Sequence, residues 1–188
     1  MANMNFTSNE NIFEYITRNG VICFADTCFL MNPVFLNEFY ESMKTYNRMH
    51  QYPFRLQIIP SVMAELRKVA RGNDNMAAYR ACKALDIIER DCGKSLVNYD
   101  VVSDTRHSDA YIIGVVSLER VKRPVCVFTQ DADLQHDVFA MRNFKSCKGH
   151  NMFVMCFNGK REICSKYIYE APEFKSKRYK GRGKEMVA

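Results

Sequence analysis

The chain has 188 residues, 47% of them hydrophobic, which fits one domain with room for a sizeable core and is short for two. No run of about 18 apolar residues is present, which argues against a membrane-spanning helix, and the polar start lacks a secretory signal, so the expectation is a cytoplasmic protein whose eight cysteines are reduced thiols. The formal charge is +6, and six Lys or Arg against two Glu after Pro172 put +4 of it in the last segment, which favours a polyanionic partner.

In chain order, residues 9–18 read as a helix with Ile12, Phe13 and Ile16 inward, closed by Asn19-Gly20 at its C-cap. Residues 21–27 are an apolar run rich in β-formers that ends in Asp26, which predicts a strand buried on both faces with a carboxylate at its C-terminal edge. Pro33 permits a helix from its first turn, with Phe35, Leu36, Phe39, Tyr40 and Met43 at helical spacing, an aromatic stripe that belongs in a core. A loop over 47–53 and a short strand over 56–59 follow. Pro60-Ser61 then opens a helix whose Val62, Leu66 and Val69 share a face with Glu65. A salt bridge is the plainer role for that glutamate.

After a turn at Arg71-Gly72-Asn73-Asp74, a helix over 76–91 is predicted with Ala78, Ala81, Leu85, Ile88 and Cys92 on one face. A strand over 96–102 leads through polar residues to a helix from Asp109 to about Arg120. Asp109 shares a face with Ile112, Ile113 and Val116, although an acid in a first turn also complements the helix dipole. Residues 125–133 read as a second strand buried on both faces that also ends in acid, at Asp131 and Asp133, and Asp133 is a candidate N-cap for a helix over 134–141. Residues 152–157 read as the last strand. Cys147, His150, Cys156 and Cys164 have no regular zinc-ligand spacing.

Alternating strands and helices predict an α/β fold with a mainly parallel central sheet, as one domain over 1–172 and a basic tail over 173–188. Two strands lead into acid and two helices start with an acid turned inward, so Asp26, Glu65, Asp109 and Asp131 can gather at one sheet end, where α/β ligands bind. Like charges that close need cations, and oxygen-only ligands suit Mg²⁺ or Mn²⁺. Such ions activate water and stabilise the oxyanions of an in-line displacement at phosphorus, which points to nuclease chemistry.

The same residues carry a family resemblance. Ala25-Asp26-Thr27, Pro60-Ser61-Val62-Met63-Ala64-Glu65-Leu66, the stretch from His107 to Gly114, and Phe128-Thr129-Gln130-Asp131-Ala132-Asp133-Leu134 occur in the order of the PIN-domain nucleases. The sequence resembles that family over residues 21–157. The resemblance implies a three-layer α/β/α sandwich and cleavage of single-stranded RNA with Mg²⁺ or Mn²⁺. Asp26, Glu65, Asp109 and Asp131 match the acidic catalytic and metal-binding positions, with Asp133 a fifth, and Thr27 and Thr129 match the hydroxyl positions beside them. Toxin-type relatives form homodimers and pair with antitoxin proteins, while others process RNA; this chain is longer than a compact toxin-type member. Lys175, Lys177, Arg178, Lys180, Arg182 and Lys184 would add affinity for the RNA backbone. Two alternatives share the pattern: a PIN-like module that binds RNA or protein without cutting, and a structure-directed DNA nuclease. An Asp-nucleophile phosphatase does not fit, because Cys28 stands where that family has a second aspartate, and a phosphate-binding NTPase does not fit, because no Gly-rich loop follows the first strand.

Overall fold

The computed structural model describes residues 9–99, 108–160 and 162–172. Helix α1 (Asn9–Arg18) buries Ile12, Phe13 and Ile16, as its spacing predicts. It ends where Gly20 takes φ +60, with Val21 N–H donating to Ile16 O at 3.0 Å and Gly20 N–H to Thr17 O at 3.4 Å. These are the paired bonds of a Schellman end, and the left-handed φ explains the glycine. The chain turns directly into β1 (Ile22–Ala25), followed by a single turn, α2 (Thr27–Leu30), and by α3 (Pro33–Met49). β2 (Leu56–Ile58) precedes α4 (Pro60–Ala70) and α5 (Asn75–Asp91), and β3 (Leu96–Asn98) follows. The second half supplies α6 (Ser108–Arg120), β4 (Val125–Phe128), α7 (Ala132–Ala140), β5 (Met152–Phe157) and β6 (Ile163–Tyr169).

The six strands form one sheet in the order β3-β2-β1-β4-β5-β6, parallel except for the β5–β6 pair. This is the predicted α/β architecture. Starting from β1, the chain first builds outward through β2 and β3, then returns to add β4 and β5 on the other side. The order therefore reverses between β1 and β4, and right-handed crossovers put the helices of the two halves on opposite faces. α3, α4 and α5 pack together, with α1 on α3, while α6 lies against β1, β4 and α7. Among the described residues no helix is long and apolar enough to cross a membrane.

The aromatic stripe of α3 is core. Phe39 meets Phe13 at 5.3 Å and Phe128 at 5.6 Å between ring centroids, and Phe29 stacks on Phe157 at 4.4 Å. This cluster fastens α1, α2 and α3 to β4 and β5. Edge-to-face and offset rings add to the burial of large apolar area.

Three features depart from the sequence reading. α3 continues to Met49, past the expected start of the loop at Asn47, whose side chain instead pins the loop by accepting from Phe54 N–H at 2.7 Å and donating to Ser95 Oγ at 2.7 Å. β6 was not expected; it returns antiparallel after a turn in which Asn158 Oδ1 accepts from the N–H groups of Lys160 and Glu162. On α5 the buried face is Ala81, Ala84, Ile87, Ile88 and Asp91, while Cys92, expected inward, is the exposed C-cap. The last three residues of the strand expected over 96–102, the six tail cations from Lys175 to Lys184, and His107 lie outside the described residues.

Asp91 is a structural acid. Its Oδ2 accepts from Ser95 N–H at 2.8 Å and Leu96 N–H at 2.6 Å, and its Oδ1 from Tyr40 Oη at 3.1 Å, tying the end of α5 to α3 and to the start of β3. Asp91→Ala leaves three buried donors without an acceptor and is expected to lower unfolding stability by about 3 kcal/mol in urea denaturation followed by circular dichroism. A loss below about 1 kcal/mol would contradict this role.

Candidate active site

The site begins with strand register. β1 and β4 are parallel with Ala25 opposite Phe128, so the next residues, Asp26 and Thr129, leave the sheet side by side. Asp26 N–H still continues the ladder to Phe128 O at 3.0 Å. Its side chain turns back to cap α2: Oδ1 accepts from Thr27 N–H at 2.6 Å, and Oδ2 accepts from Thr129 Oγ1 at 2.9 Å and from the Cys28 thiol. Asp26 is only 3% exposed. Burial pushes its pKa up, and the bonds from Cys28, Thr129 and Thr27 offset that push only in part.

The hydroxyl positions join the acids to one another. Thr27 Oγ1 donates to Glu65 Oε2 at 2.7 Å, and Ser108 Oγ donates to the same oxygen. Glu65, on α4, thus bridges the first residue of α2 and the first residue of α6, and Asp109 follows Ser108 directly. On the other side Thr129 Oγ1 accepts from Asp131 N–H at 3.0 Å while donating to Asp26. Asp131 is the N-cap of α7, its Oδ1 accepting from Asp133 N–H at 2.7 Å and Leu134 N–H at 3.0 Å. The capping role considered for Asp133 therefore belongs to Asp131. Asp133 stands exposed in the first turn of α7, where its backbone N–H is the group engaged.

Asp109 senses the charges of the other three acids. Asp109 is exposed, yet its pKa is raised, first by partial desolvation and then by the charges of Asp26, Glu65 and Asp131, with Ser108 working the other way. So the structure brings together Asp26, Glu65, Asp109 and Asp131 at the carboxyl end of the sheet, on either side of the point where strand order reverses. They are neighbours in charge rather than a closed cage: among the described residues no three His, Cys, Asp or Glu are grouped closely enough to hold a metal ion. In donor chemistry the set fits a hard divalent cation, being all oxygen, strongly negative and self-repelling. Asp109 and Asp131 are its exposed members, Glu65 is half-buried and Asp26 is buried.

Two site residues escaped sequence reasoning. Ser108 sits in a polar stretch where a serine before an acid reads as an ordinary helix start. Cys28 entered only as an argument against a phosphatase, whereas in the fold its thiol lies on Asp26, accepts from Gln130 N–H at 3.2 Å and is 3.3 Å from Thr129 Oγ1. Burial, then the Asp26 charge and hydrogen bond, push that thiol up to about 12, so it stays a neutral donor and not a thiolate.

No protein-family model matches the chain, and no curated protein sequence does. Among solved structures, that of the PIN domain endonuclease Utp24 superposes with a TM-score of 0.53 at 16% identity, covering 80% of this chain and 95% of that one. The chain has a PIN-like fold, as its motifs led one to expect.

Repulsion within the cluster gives a signed expectation. The fold raises the pKa of Asp109 above its ordinary 3.8, so its ionised form is the disfavoured one. That penalty is absent below the ordinary value and grows as pH rises through the folded one. Asp109→Asn in EDTA is expected to raise the melting temperature near neutral pH, by about 1–2 °C given solvent screening, and to lose the gain below the ordinary carboxylate range. A lower melting temperature near neutrality would contradict the repulsion.

Proposed function

We propose that this protein is a Mg²⁺- or Mn²⁺-dependent ribonuclease that hydrolyses phosphodiester bonds of single-stranded RNA. The observation that carries the reading is the set of four carboxylates, Asp26, Glu65, Asp109 and Asp131, at the carboxyl edge of a PIN-like sheet, near enough that the charges of the other three raise the pKa of Asp109. The endonuclease named by the matching solved structure supports it, as does the chain's net charge of +6 for a polyanionic substrate. Those four residues, with Asp133 beside them, would hold the cation. When bound, it supplies Lewis-acid stabilisation of phosphoryl oxygens and a more acidic water.

The chain's own groups divide the remaining work. Asp26 and Glu65 are fixed by hydrogen bonds from Thr27, Cys28, Thr129 and Ser108, which hold the carboxylates in register across four elements. Asp109 and Asp131, open to solvent, stand on the side a strand approaches. Lys175, Lys177, Arg178, Lys180, Arg182 and Lys184 would add a salt-sensitive hold on the backbone. Helix α1, packed into the core through Phe13, and the basic end extend the chain beyond a compact toxin-type enzyme. That favours an RNA-processing role over a homodimeric toxin with an antitoxin-like partner.

The test is cleavage of end-labelled single-stranded RNA and of matched DNA with Mn²⁺, Mg²⁺ or EDTA. Wild type is expected to cut RNA in a metal-dependent way, and Asp26→Asn to lose at least about a hundredfold in rate while keeping its fold. Preference for DNA would favour the DNA-nuclease alternative. RNA binding without any cutting would favour a non-cleaving module, and equal activity in both proteins would refute the site.

A further inference from the structure

Beside the acids the chemistry changes. Cys28 and Gln130 line a cavity of ≈ 600 Å³ whose wall is thus one hydrogen bond from Asp26. It adjoins a second cavity of ≈ 810 Å³, and both are bounded by Pro33, Val34 and Tyr79, so together they make one groove between α3 and α5 leading away from the cluster. Large apolar side chains stand open along it: Val34 at 49%, Met76 at 60% and Tyr79 at 56% exposure. Contiguous apolar exposure at the mouth of a charged site marks a binding surface.

The α5 side of the groove has a period. Met76, Tyr79, Arg80 and Lys83 fall at i, i+3, i+4 and i+7, one helix face on which two soft or flat apolar groups are followed by two cations. Lys83 Nζ lies 5.8 Å from the centre of the Tyr79 ring. The near cavity has Arg80 in its lining and no Asp or Glu; in the far one Lys83 and Arg90 stand against Asp86 and Glu89. The near cavity, next to the acid cluster, is thus lined by one cation and by no acid. On the opposite wall Asn32, the N-cap residue of α3, makes no capping bond with its side chain although it lines the cavity, whereas the Gln130 amide is committed to the Phe157 backbone.

We propose that this groove is the track for one single strand of nucleic acid, with a base stacked on Tyr79 against Met76 and Val34, Arg80 on the phosphate between that base and the acids, and Asn32 at the base edge. The inference rests on the nuclease reading and says where its substrate lies. Ring, thioether and guanidinium on one helix face match a polymer in which bases and phosphates alternate. A duplex cannot use this face, because its bases are already stacked on each other.

The test is fluorescence anisotropy of the full chain in EDTA with a labelled single-stranded RNA of about 12 nucleotides and the same sequence as duplex. Tyr79→Ala is expected to weaken single-strand binding about tenfold, Tyr79→Phe to keep it within about twofold, and neither to change duplex binding. Arg80→Ala should lower the dependence of log affinity on log salt by about one unit. Tyr79 is largely exposed, so unchanged melting temperatures are expected and separate binding from folding. If Tyr79→Ala and Arg80→Ala bind as wild type does, or if Tyr79→Phe loses as much as Tyr79→Ala, the groove is wrong. Metal-dependent cleavage lost in Asp26→Asn would still stand in that case. Should both groove variants lose binding while wild type cuts nothing, the groove holds and the nuclease reading falls.

Discussion

The structure depends on one buried carboxylate. Asp26 ends the central strand at 3% exposure, where an ionised group without partners would cost several kcal/mol. A hydrogen bond to a charge returns about 1.5–3 kcal/mol, so bonds from Thr27 N–H, Thr129 Oγ1 and the Cys28 thiol are of the right size to keep the group in place. They do not fully win: the pKa remains raised. A group held at this cost in the centre of the sheet is a stored demand for positive charge. The neutral Cys28 thiol beside it answers part of that demand without adding a charge of its own.

Everything else in the cluster is placed by the same few constraints. Parallel pairing of β1 with β4 sets Thr129 against Asp26, and the turn after β4 brings Asp131 to cap α7. Thr27, fixed as the first residue of α2, reaches across to Glu65 on α4, which also holds Ser108 at the start of α6. Three hydroxyls thus link carboxylates from both halves of the fold. Hydroxyls suit this work because each can donate to one oxygen while accepting from another group, as Thr129 does. The part of the groove next to Cys28 has a cation, Arg80, and no acid in its lining, so the charge character changes within one short stretch of surface.

Much of this was legible because local signals and tertiary placement agree. The apolar runs ending near Asp26 and Asp131 are buried strands, Pro33 and Pro60 do open α3 and α4, and Asn19-Gly20 closes α1 in a left-handed turn. Glu65 inside an apolar stripe was a sound pointer, since it faces the site, though partnered by hydroxyls and not by a cation. What escaped depends on neighbours. β6 is a half-buried edge strand interrupted by Ser165 and Lys166, and only the Asn158-Gly159 turn announced it. The inward face of α5 is rotated because Asp91 finds backbone donors that no periodicity reveals. Cys28 owes its role to the α2 turn, which sets its thiol on Asp26, and Ser108 owes its role to Glu65, 43 residues away in sequence, a juxtaposition that only the fold creates.

The central claim is that the four carboxylates act as one cation-binding unit anchored on Asp26. Calorimetric titration of the metal-free protein with Mn²⁺ tests it most directly, comparing wild type with single Asn or Gln substitutions at Asp26, Glu65, Asp109 and Asp131, and with Asp137→Asn, an exposed acid on α7, as control. The account predicts that each of the four weakens Mn²⁺ binding by about tenfold or more and that the control does not. Mn²⁺ affinity unchanged by loss of Asp26 or Glu65 would contradict it.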